Sequence, residues 1–370
     1  MLKNFVISCI GKIISVILVG CLLLNVGVFT SDSTSVGSLS TNEDMQTVLI
    51  EGYHDIRPGE GVSEIKLLSD YFAPLKGTNG DTQVYVFNGD APGPTAMILG
   101  GTHGNEISGI LSAIFLIETA KVKAGRMIII PVANYSASTA VDDWRPDVKT
   151  VSVETASGVR TFRYGNRRTN PLDQEYTNEP FIPYDDYELP AEESGNLNRV
   201  YPGKPDGNLT QQIAYAIMQL LDKEEVDIAI DMHEAGPKDS IAYYLISNPN
   251  VISISRAAQI NIWDYDFDMT LDRSGIESIG LSHREWGDRT NVAAFLIETA
   301  NPGQDYYDEN KTLDVMKDHD NPIEKRVAVQ IYTSMCVFDA YAQKVGPRLI
   351  IEGIPSYNDL LNHDIGIYMR

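Results

Sequence analysis

The chain has 370 residues, of which 43% are hydrophobic, and a formal net charge of −22. This length and composition indicate a globular protein with one large hydrophobic core or two modest ones. The negative charge argues against nucleic acids and anionic membrane surfaces as partners, because both repel a protein of this sign.

The first thirty residues differ from the rest of the chain. Within residues 1–30, Ile13–Phe29 is almost wholly apolar, and residues 31–45 follow as a polar linker. This pattern is typical of a secretory signal peptide or an uncleaved membrane anchor, and Leu18–Cys21 resembles a lipoprotein cleavage site. We therefore expect an exported protein, either secreted or attached to a membrane through its N-terminus only. A buried N-terminal helix is the alternative.

Beyond this leader, strand and helix patterns alternate along residues 46–345, which we interpret as one domain followed by a C-terminal extension, residues 346–370. The predicted strands are Thr82–Asn88, Thr95–Gly100, Arg126–Val132, Val226–Met232 and Ala293–Ile297, and the predicted helices are Glu106–Val122, Leu209–Asp222 and Ile323–Lys344. The alternation favours an α/β fold with a mixed, mostly parallel, twisted sheet and helices on both faces.

Residues 142–195 interrupt the alternation of strand and helix patterns. They are polar, rich in Pro, Tyr, Asp and Glu, and without clear periodicity. A loop of this length inside a compact domain is usually functional. We interpret the segment as a long insertion near the functional site.

Side chains that bind metals follow two of the predicted strands. His103 and Glu106 lie in a glycine-rich strand-to-helix turn, and His233 directly follows a second strand. Because ligands gather at the C-terminal ends of strands in open α/β sheets, we expect the three to converge. Two histidines and one carboxylate leave a fourth tetrahedral position open, as in catalytic zinc sites. We predict one Zn²⁺ per chain, with Asp231 orienting His233 and His283 as the fallback ligand.

The hexapeptide Phe-Leu-Ile-Glu-Thr-Ala occurs twice and offers two candidates for the general base that zinc-dependent hydrolysis needs. The first copy, Phe115–Ala120, continues a helical pattern, so we predict that Glu118 is a solvated helix residue. The second copy, Phe295–Ala300, reads as a strand stopped by a turn, which places Glu298 at a strand end. We therefore predict that Glu298 is the base.

These motifs, together with Asn196–Gly203 (NLNRVYPG), resemble the zinc carboxypeptidase superfamily over roughly residues 80–345. The most similar branch is the succinylglutamate desuccinylase/aspartoacylase group of metal-dependent deacylases. The resemblance implies a zinc carboxypeptidase-like fold in a single catalytic domain. It also implies that His103, Glu106 and His233 match the zinc ligands and that Glu298 matches the general base.

The resemblance assigns further roles to polar residues between the two histidines. Asn198 and Arg199 match the pair that binds the free carboxylate of the substrate, and Arg168 matches the arginine that polarises the scissile carbonyl. A guanidinium suits both tasks, because it binds carboxylates in bidentate fashion and stabilises an oxyanion. A long acidic insertion, Gln174–Ser194, separates Arg168 from Asn198, so Arg167 and Arg163 are alternatives to Arg168.

Two departures from the family pattern bear on function. The family usually carries Asp where this chain has Asn196, an exchange expected to loosen a turn or a contact behind the zinc site. The deacylase branch often adds a C-terminal β-domain that shapes the substrate pocket, and we expect none here. The narrow substrate specificities of that branch are therefore not transferred.

Together these observations predict an exported zinc hydrolase, a deacylase or amidohydrolase that cleaves an amide-type bond. The predicted partner is a small molecule or peptide with a free carboxylate, such as an N-acyl amino acid. One alternative is an exported metallocarboxypeptidase that trims peptide or cell-wall peptide C-termini. An alternative of another class is an inactive binding protein that has kept the zinc fold. The sequence does not indicate an oligomeric state.

Overall fold

The centre of the computed structural model is a mixed β-sheet. The structure describes residues 54–177, 179–184, 187–305 and 314–370, so the predicted leader (1–30) and linker (31–45) lie outside the described residues. The strands are β1 Glu64–Leu67, β2 Gln83–Asn88, β3 Ala91–Leu99, β4 Lys121–Ile130, β5 Thr150–Thr155, β6 Gly158–Arg163, β7 Phe181–Tyr184, β8 Tyr187–Leu189, β9 Ile228–Ala235, β10 Tyr244–Ser247, β11 Thr270–Arg273, β12 Ala293–Ala300 and β13 Ile350–Glu352.

Nine of these described strands form the central sheet, in the order β1-β2-β4-β3-β9-β12-β10-β11, with β13 paired to β4. The four central strands, β4, β3, β9 and β12, run parallel to one another. Antiparallel pairs, β1 with β2, β2 with β4, β13 with β4 and β10 with β12, complete the mixed sheet. Every residue of β9 and β12 is buried, as expected for parallel strands covered on both faces.

Helices cover both faces of the sheet. They are α1 Ile107–Thr119, α2 Tyr135–Thr139, α3 Leu209–Lys223, α4 Ile252–Ile262, α5 Ser282–Arg289, α6 Ile323–Val345 and α7 Tyr357–Asn362. Helices α1, α4 and α6 contribute to one hydrophobic core, and α3 and α5 to a second core on the opposite face. The predicted α/β fold class is thus confirmed. Among the described residues, none of the helices combines the length and apolarity that a bilayer crossing requires.

Two of the long helices agree with their predicted bounds. Helix α3 begins after Asn208, whose side chain accepts a hydrogen bond from the backbone N–H of Gln211 while the Gln211 side chain accepts one from Asn208. This reciprocal capping satisfies two amide groups that the first helical turn leaves without partners. Helices α3 and α6 each end one residue beyond the predicted C-terminal end.

The boundary between α1 and β4 was predicted wrongly. The predicted helix ran to Val122 and the predicted strand began at Arg126, whereas α1 ends at Thr119 and β4 begins at Lys121. The first residues of β4 pair with β13, more than 200 positions later in the chain. A local apolar pattern cannot reveal such a pairing, through which the predicted C-terminal extension adds one strand, β13, to the central sheet.

Strands β9 and β12 extend beyond their predicted ends, to Ala235 and Ala300. His233 and Glu298 therefore lie within strands and do not follow them. Because the two strands are parallel neighbours, with Glu298 paired to His233, the two side chains stand side by side on one face of the sheet. This register is what brings both residues to one place.

The segment 142–195 contains two hairpins, β5–β6 and β7–β8, that the sequence analysis did not predict. Strand β5 alternates exposed and buried residues, with Val151 and Val153 directed inward. The sequence of β5 therefore carries the two-residue period that is typical of a strand. These valines, together with Phe162 of β6, join the core that contains α1. The hairpin β5–β6 therefore packs on the body of the domain.

Glu118 is buried, and the prediction that it is solvated was wrong. Its carboxylate forms a bidentate ion pair with Arg160 of β6, at 2.6 and 2.8 Å, and both side chains are completely buried. It also accepts backbone N–H groups from Arg57 and Arg370. The overlooked hairpin and the C-terminal residues cover this end of α1, which explains the error.

We predict that Glu118→Gln lowers the free energy of unfolding by about 3 kcal/mol, because it removes the buried, bidentate counter-charge of Arg160 and leaves only Asp55, 3.3 Å from Nε. Urea denaturation measures the change. Glu60→Gln, which removes the exposed partner of Lys121, is the control and is expected to cause no measurable loss. Equal stability of the two variants would contradict a structural role for the Glu118–Arg160 pair.

Candidate metal centre and active site

The turn from β3 into α1 presents two of the predicted metal ligands. Glycines permit its shape: Gly101 has a φ of +62°, and a Cβ on Gly104 would lie 2.8 Å from the backbone of Ala137. The Gly104 carbonyl accepts the N–H of Gly165, and its own N–H donates to the carbonyl of Asn166, both at 2.8 Å. The turn is thereby fixed against the segment that leads to Arg167.

The carboxylate of Glu106 lies between the imidazoles of His103 and His233. Its Oε1 is 2.6 Å from Nδ1 of His103, and its Oε2 is 2.8 Å from Nδ1 of His233. One potential ligand atom from each residue lies within 4.8 Å of the others, and all three side chains are buried. The structure therefore brings the three predicted ligands together as a group that could hold a metal ion.

A carboxylate lies behind the imidazole of His233. Oδ2 of Asp231 is 2.9 Å from Nε2 of His233, so the predicted contact is present. The hydroxyls of Thr102 and Ser282 donate to Asp231 at 2.8 and 2.5 Å. These contacts orient the ring so that Nδ1 faces Glu106, as outer partners of metal-bound histidines commonly do.

An amide occupies the corresponding position behind His103. Oδ1 of Asn196 lies 2.9 Å from Nε2 of His103. The same oxygen accepts the backbone N–H of Asn198, and the side-chain amide donates to Glu193. The contact expected to be loosened by Asn at position 196 is therefore intact.

The electrostatics of the cluster favour a cation. Burial and the nearby Arg167 charge lower the pKa of His103 to about 4. Burial also disfavours protonation of His233, but Asp231 and Glu106 outweigh it and raise the pKa of His233 well above its usual value. Burial likewise opposes ionisation of Glu106, yet the two imidazoles hold its pKa well below the usual range. Two carboxylates thus flank a point where positive charge is stabilised, and two imidazoles with one carboxylate are a donor set that suits zinc.

Glu298 is a buried carboxylate beside this cluster. Its Oε2 has no hydrogen-bond partner among the described residues. Burial raises its pKa to about 8; Glu106 adds to this effect, and His233 opposes it. A carboxyl group that titrates near neutral pH and keeps one oxygen free is chemically able to accept and return a proton.

Two arginines with partly exposed side chains line the same site. Nη1 of Arg167 lies 3.6 Å from Oε1 of Glu106. Nη1 of Arg199 donates to the carbonyl of Asn198, and burial together with the charge of Arg167 lowers the pKa of Arg199. Asn198 is held by the N–H of Ser282 at 2.8 Å, and its Nδ2 lies 3.5 Å from Nε2 of His233. A basic pocket thus adjoins the cluster in a strongly acidic chain.

The structure does not bring Arg168 to this cluster. Arg168 donates to Glu193 at 2.6 and 3.0 Å, and it lines a separate cavity of about 440 Å³ with Asp143 and Tyr176. Arg163, the other alternative, lies over the ring of Tyr135, 5.9 Å from its centroid. Of the three arginines considered, Arg167 is therefore the one beside Glu106. Glu193 lies 25 positions after Arg168 in the sequence, so residue spacing alone does not predict the ion pair between them.

The other histidines lie outside the cluster. His54 and His283 are buried, their ring nitrogens have no hydrogen-bond partner within the described part of the chain, and burial lowers the pKa of each to about 3. His319 and His363 are exposed. His283, predicted as the fallback ligand, does not join the group around Glu106.

One residue near the cluster was not singled out from the sequence. Gln304, in the short 3-10 helix after β12, donates to Oε1 of Glu106 at 3.3 Å and to the carbonyl of Glu234 at 3.1 Å. The signal available was its place in the turn that ends the strand of Glu298. The sequence predicts only that this turn ends a strand, which assigns no role to its side chains.

A comparison with family models decides the classification. The model of the succinylglutamate desuccinylase/aspartoacylase catalytic domain matches residues 92–301, more than half of the chain. The chain belongs to the succinylglutamate desuccinylase/aspartoacylase family. The matched range contains the Glu106 cluster, both arginines of the basic pocket, and Glu298, so the resemblance seen in the sequence motifs is confirmed.

Individual relatives are similar over part of their length. An N-alpha-acetyl-L-2,4-diaminobutyric acid deacetylase from Halomonas elongata is 30% identical over 146 residues, which are 39% of this chain and 29% of the deacetylase. The cell shape determinant protein Csd4 from Helicobacter pylori is 14% identical, with a TM-score of 0.44 over 75% of this chain and 58% of that one. A succinylglutamate desuccinylase from a Silicibacter species is 20% identical, with a TM-score of 0.43 over 75% and 64%. The chain thus spans less than two thirds of the length of each.

We predict that Glu298→Gln leaves the metal-free protein within about 1 kcal/mol of wild type near pH 4.5, since the amide resembles the protonated carboxyl, and makes it more stable than wild type near neutral pH. In the folded protein this carboxyl has a pKa of about 8, against an ordinary value of 4.5. Between these pH values the folded protein holds a proton that the unfolded chain has released. Wild type therefore loses stability relative to Glu298→Gln as the pH rises from about 5 to about 8.

Denaturation of both proteins in the presence of a chelator, at several pH values, measures this difference. Glu118→Gln is the matched control, because it changes the same position of the same hexapeptide but breaks an ion pair. If Glu298→Gln proved as destabilising as Glu118→Gln, Glu298 would be a structural residue.

Proposed function

We propose that this protein is a zinc-dependent deacylase that hydrolyses the amide bond of an acylated amino acid carrying a free carboxylate. The observation that carries the proposal is the convergence of the His103, Glu106 and His233 cluster with Glu298 at one edge of the sheet. Membership in a family named for desuccinylase and aspartoacylase enzymes supports hydrolysis of this bond type.

In this proposal His103, Glu106 and His233 hold one zinc ion. The fit rests on their donor atoms, on their burial and on the two carboxylates that stabilise positive charge beside His233. When bound, the ion supplies Lewis acidity, polarising a carbonyl oxygen and lowering the pKa of water at the site.

Glu298 is the proposed proton carrier. Its free Oε2 takes a proton from the attacking water, and the same carboxyl returns the proton to the leaving amine. Burial supports this role, because it raises the pKa of the carboxyl above its ordinary value and so favours return of the proton to the leaving amine.

The basic pocket provides the proposed contacts to the substrate. Arg167, beside Glu106, takes the role that the sequence analysis gave to Arg168 and stabilises negative charge on the scissile carbonyl oxygen. Arg199 and Asn198 bind the free carboxylate. The lowered pKa of Arg199 supports this assignment, because a partly buried guanidinium near another cation gains from an anionic partner.

We also propose that the protein acts outside the cytoplasm. The support is the apolar run Ile13–Phe29 and the polar stretch that follows it. An extracytoplasmic site suits substrates such as N-acyl amino acids or short peptides.

Metal analysis and kinetics test the catalytic assignment. We expect about one zinc per purified wild-type chain, and loss of the metal in His233→Ala. Glu298→Gln is expected to keep zinc but to lose activity by roughly 100-fold or more, the usual contribution of a general base. His363→Ala, which alters an exposed histidine, is the control for both measurements. Wild type without bound metal, or Glu298→Gln with full activity, would contradict the proposal.

Substrate variation tests the carboxylate contact. We expect Arg199→Gln to weaken kcat/KM for N-acetyl amino acids by roughly 30-fold or more, the effect of removing one partner from a buried charge pair. The same variant is expected to change little with substrates whose carboxylate is amidated, because wild type is already slow with them. Arg163→Gln is the matched control. Rapid cleavage of amidated substrates by wild type would refute the contact, and a strong preference for peptides over N-acyl amino acids would favour a carboxypeptidase.

A further inference from the structure

A chain of polar contacts leads outward from His103. Nε2 of His103 contacts Oδ1 of Asn196 at 2.9 Å, and Nδ2 of Asn196 donates to Oε2 of Glu193 at 2.7 Å. Arg168 donates to the other oxygen, Oε1, of Glu193 at 2.6 and 3.0 Å. This series of contacts begins at the fully buried amide of Asn196 and ends at the guanidinium of Arg168, whose side chain is 29% exposed.

The two histidines of the cluster are therefore supported differently. His233 contacts the carboxylate of Asp231 directly. On its Nε2 side His103 contacts a neutral amide, and the carboxylate on that side, Glu193, lies one residue further out. The negative charge behind His103 comes from Glu193, which pairs with Arg168 at 2.6 Å and lies 4.0 Å from Arg199.

The contacts of Asn196 determine the orientation of its amide. Oδ1 also accepts the backbone N–H of Asn198 at 3.0 Å, and Nδ2 faces the carboxylate of Glu193, which can only accept when ionised. With Oδ1 as acceptor, the proton of the neutral His103 ring must be on Nε2. Nδ1 is then unprotonated and can donate its lone pair to a metal ion that Glu106 and His233 also hold, which is what a metal ligand requires.

The charge state of Glu193 agrees with this arrangement. Burial opposes its ionisation, but hydrogen bonds from Arg168 and Asn196 outweigh that effect and lower its pKa below the usual value. Glu193 is therefore an ionised acceptor at neutral pH. The amide cannot rotate by 180° without directing its oxygen at this carboxylate.

We propose that Glu193 and Arg168 are positioning residues that act through Asn196 to fix the His103 tautomer competent for metal binding. The proposal rests on the zinc site proposed above. It gives Arg168 a function different from polarising the substrate carbonyl. It also gives the acidic insertion a direct connection to the metal site, through the 3-10 helix Ala191–Gly195.

Metal affinity tests this proposal without reference to activity. Zinc dissociation constants are measured by competition with a chromophoric chelator, and cobalt-substituted protein reports ligand geometry through its visible spectrum. Loss of an outer partner typically weakens metal binding 10- to 100-fold, so we expect a loss in this range for Glu193→Ala. We expect a smaller loss, about threefold to tenfold, for Arg168→Gln, which acts one contact further away. Arg163→Gln, a partly buried arginine outside the chain of contacts, is the control.

A charge exchange provides the sharper test. Asn196→Asp alone places a second carboxylate within about 3 Å of Glu193, so we expect weaker zinc binding. Combining it with Glu193→Gln restores a donor opposite the introduced carboxylate, and we expect the double variant to bind zinc at least as tightly as wild type. Such non-additivity identifies the contact as direct. Unfolding temperatures of all variants separate loss of affinity from loss of folding.

The outcomes distinguish this inference from the proposed function. If wild type binds no zinc, the proposed function fails and the positioning role fails with it. If wild type binds zinc, but Glu193→Ala and Arg168→Gln bind it equally well with unchanged cobalt spectra, only the positioning role is overturned. A double variant no tighter than Asn196→Asp alone would also overturn it.

Discussion

The contact on which the site depends is the buried carboxylate of Glu106, shared by the imidazoles of His103 and His233. The sheet order makes this contact feasible, because β3 and β9 are parallel neighbours and both end at the same edge. A carboxylate at this depth is strongly disfavoured without charged or hydrogen-bonding partners, and the two imidazoles, of which His233 has a raised pKa, provide them here. Gly109 of α1 allows the close approach, since a Cβ there would lie 2.5 Å from the carbonyl of Met232.

The duplicated hexapeptide shows how context assigns different roles to the same sequence. In the first copy, both oxygens of Glu118 are held by Arg160 and by backbone N–H groups. In the second copy, Glu298 is equally buried, but its Oε2 has no partner among the described residues, and its pKa is raised. A fully satisfied carboxylate contributes to stability. A buried carboxylate with an unsatisfied oxygen costs stability, and such groups cluster at functional sites. For this reason Glu298, and not Glu118, is the proposed catalytic residue.

Features that depend on interactions between residues close in the sequence could be predicted, and most features that depend on distant residues could not. Apolar runs and helical spacing predicted the central strands and the helices α3 and α6, and the ends of two of those strands brought His103, Glu106 and His233 together. Most of the errors involve partners far away in the chain. β13 pairs with the start of β4, the β5–β6 hairpin covers Glu118, and Glu193 captures Arg168. No local pattern encodes these contacts.

Consecutive arginines at positions 167 and 168 divide between two tasks because of the acidic insertion. The N–H of Gly165 fixes this segment against the metal-binding turn, and the guanidinium of Arg167 lies 3.6 Å from Glu106. Glu193 holds Arg168 at a distance from the cluster and thereby leaves Arg167 as the cation next to it. The same carboxylate anchors Asn196 behind His103. A single acidic side chain from the insertion thus influences both the charge in front of the proposed metal and the imidazole that would bind it, so the insertion belongs to the site.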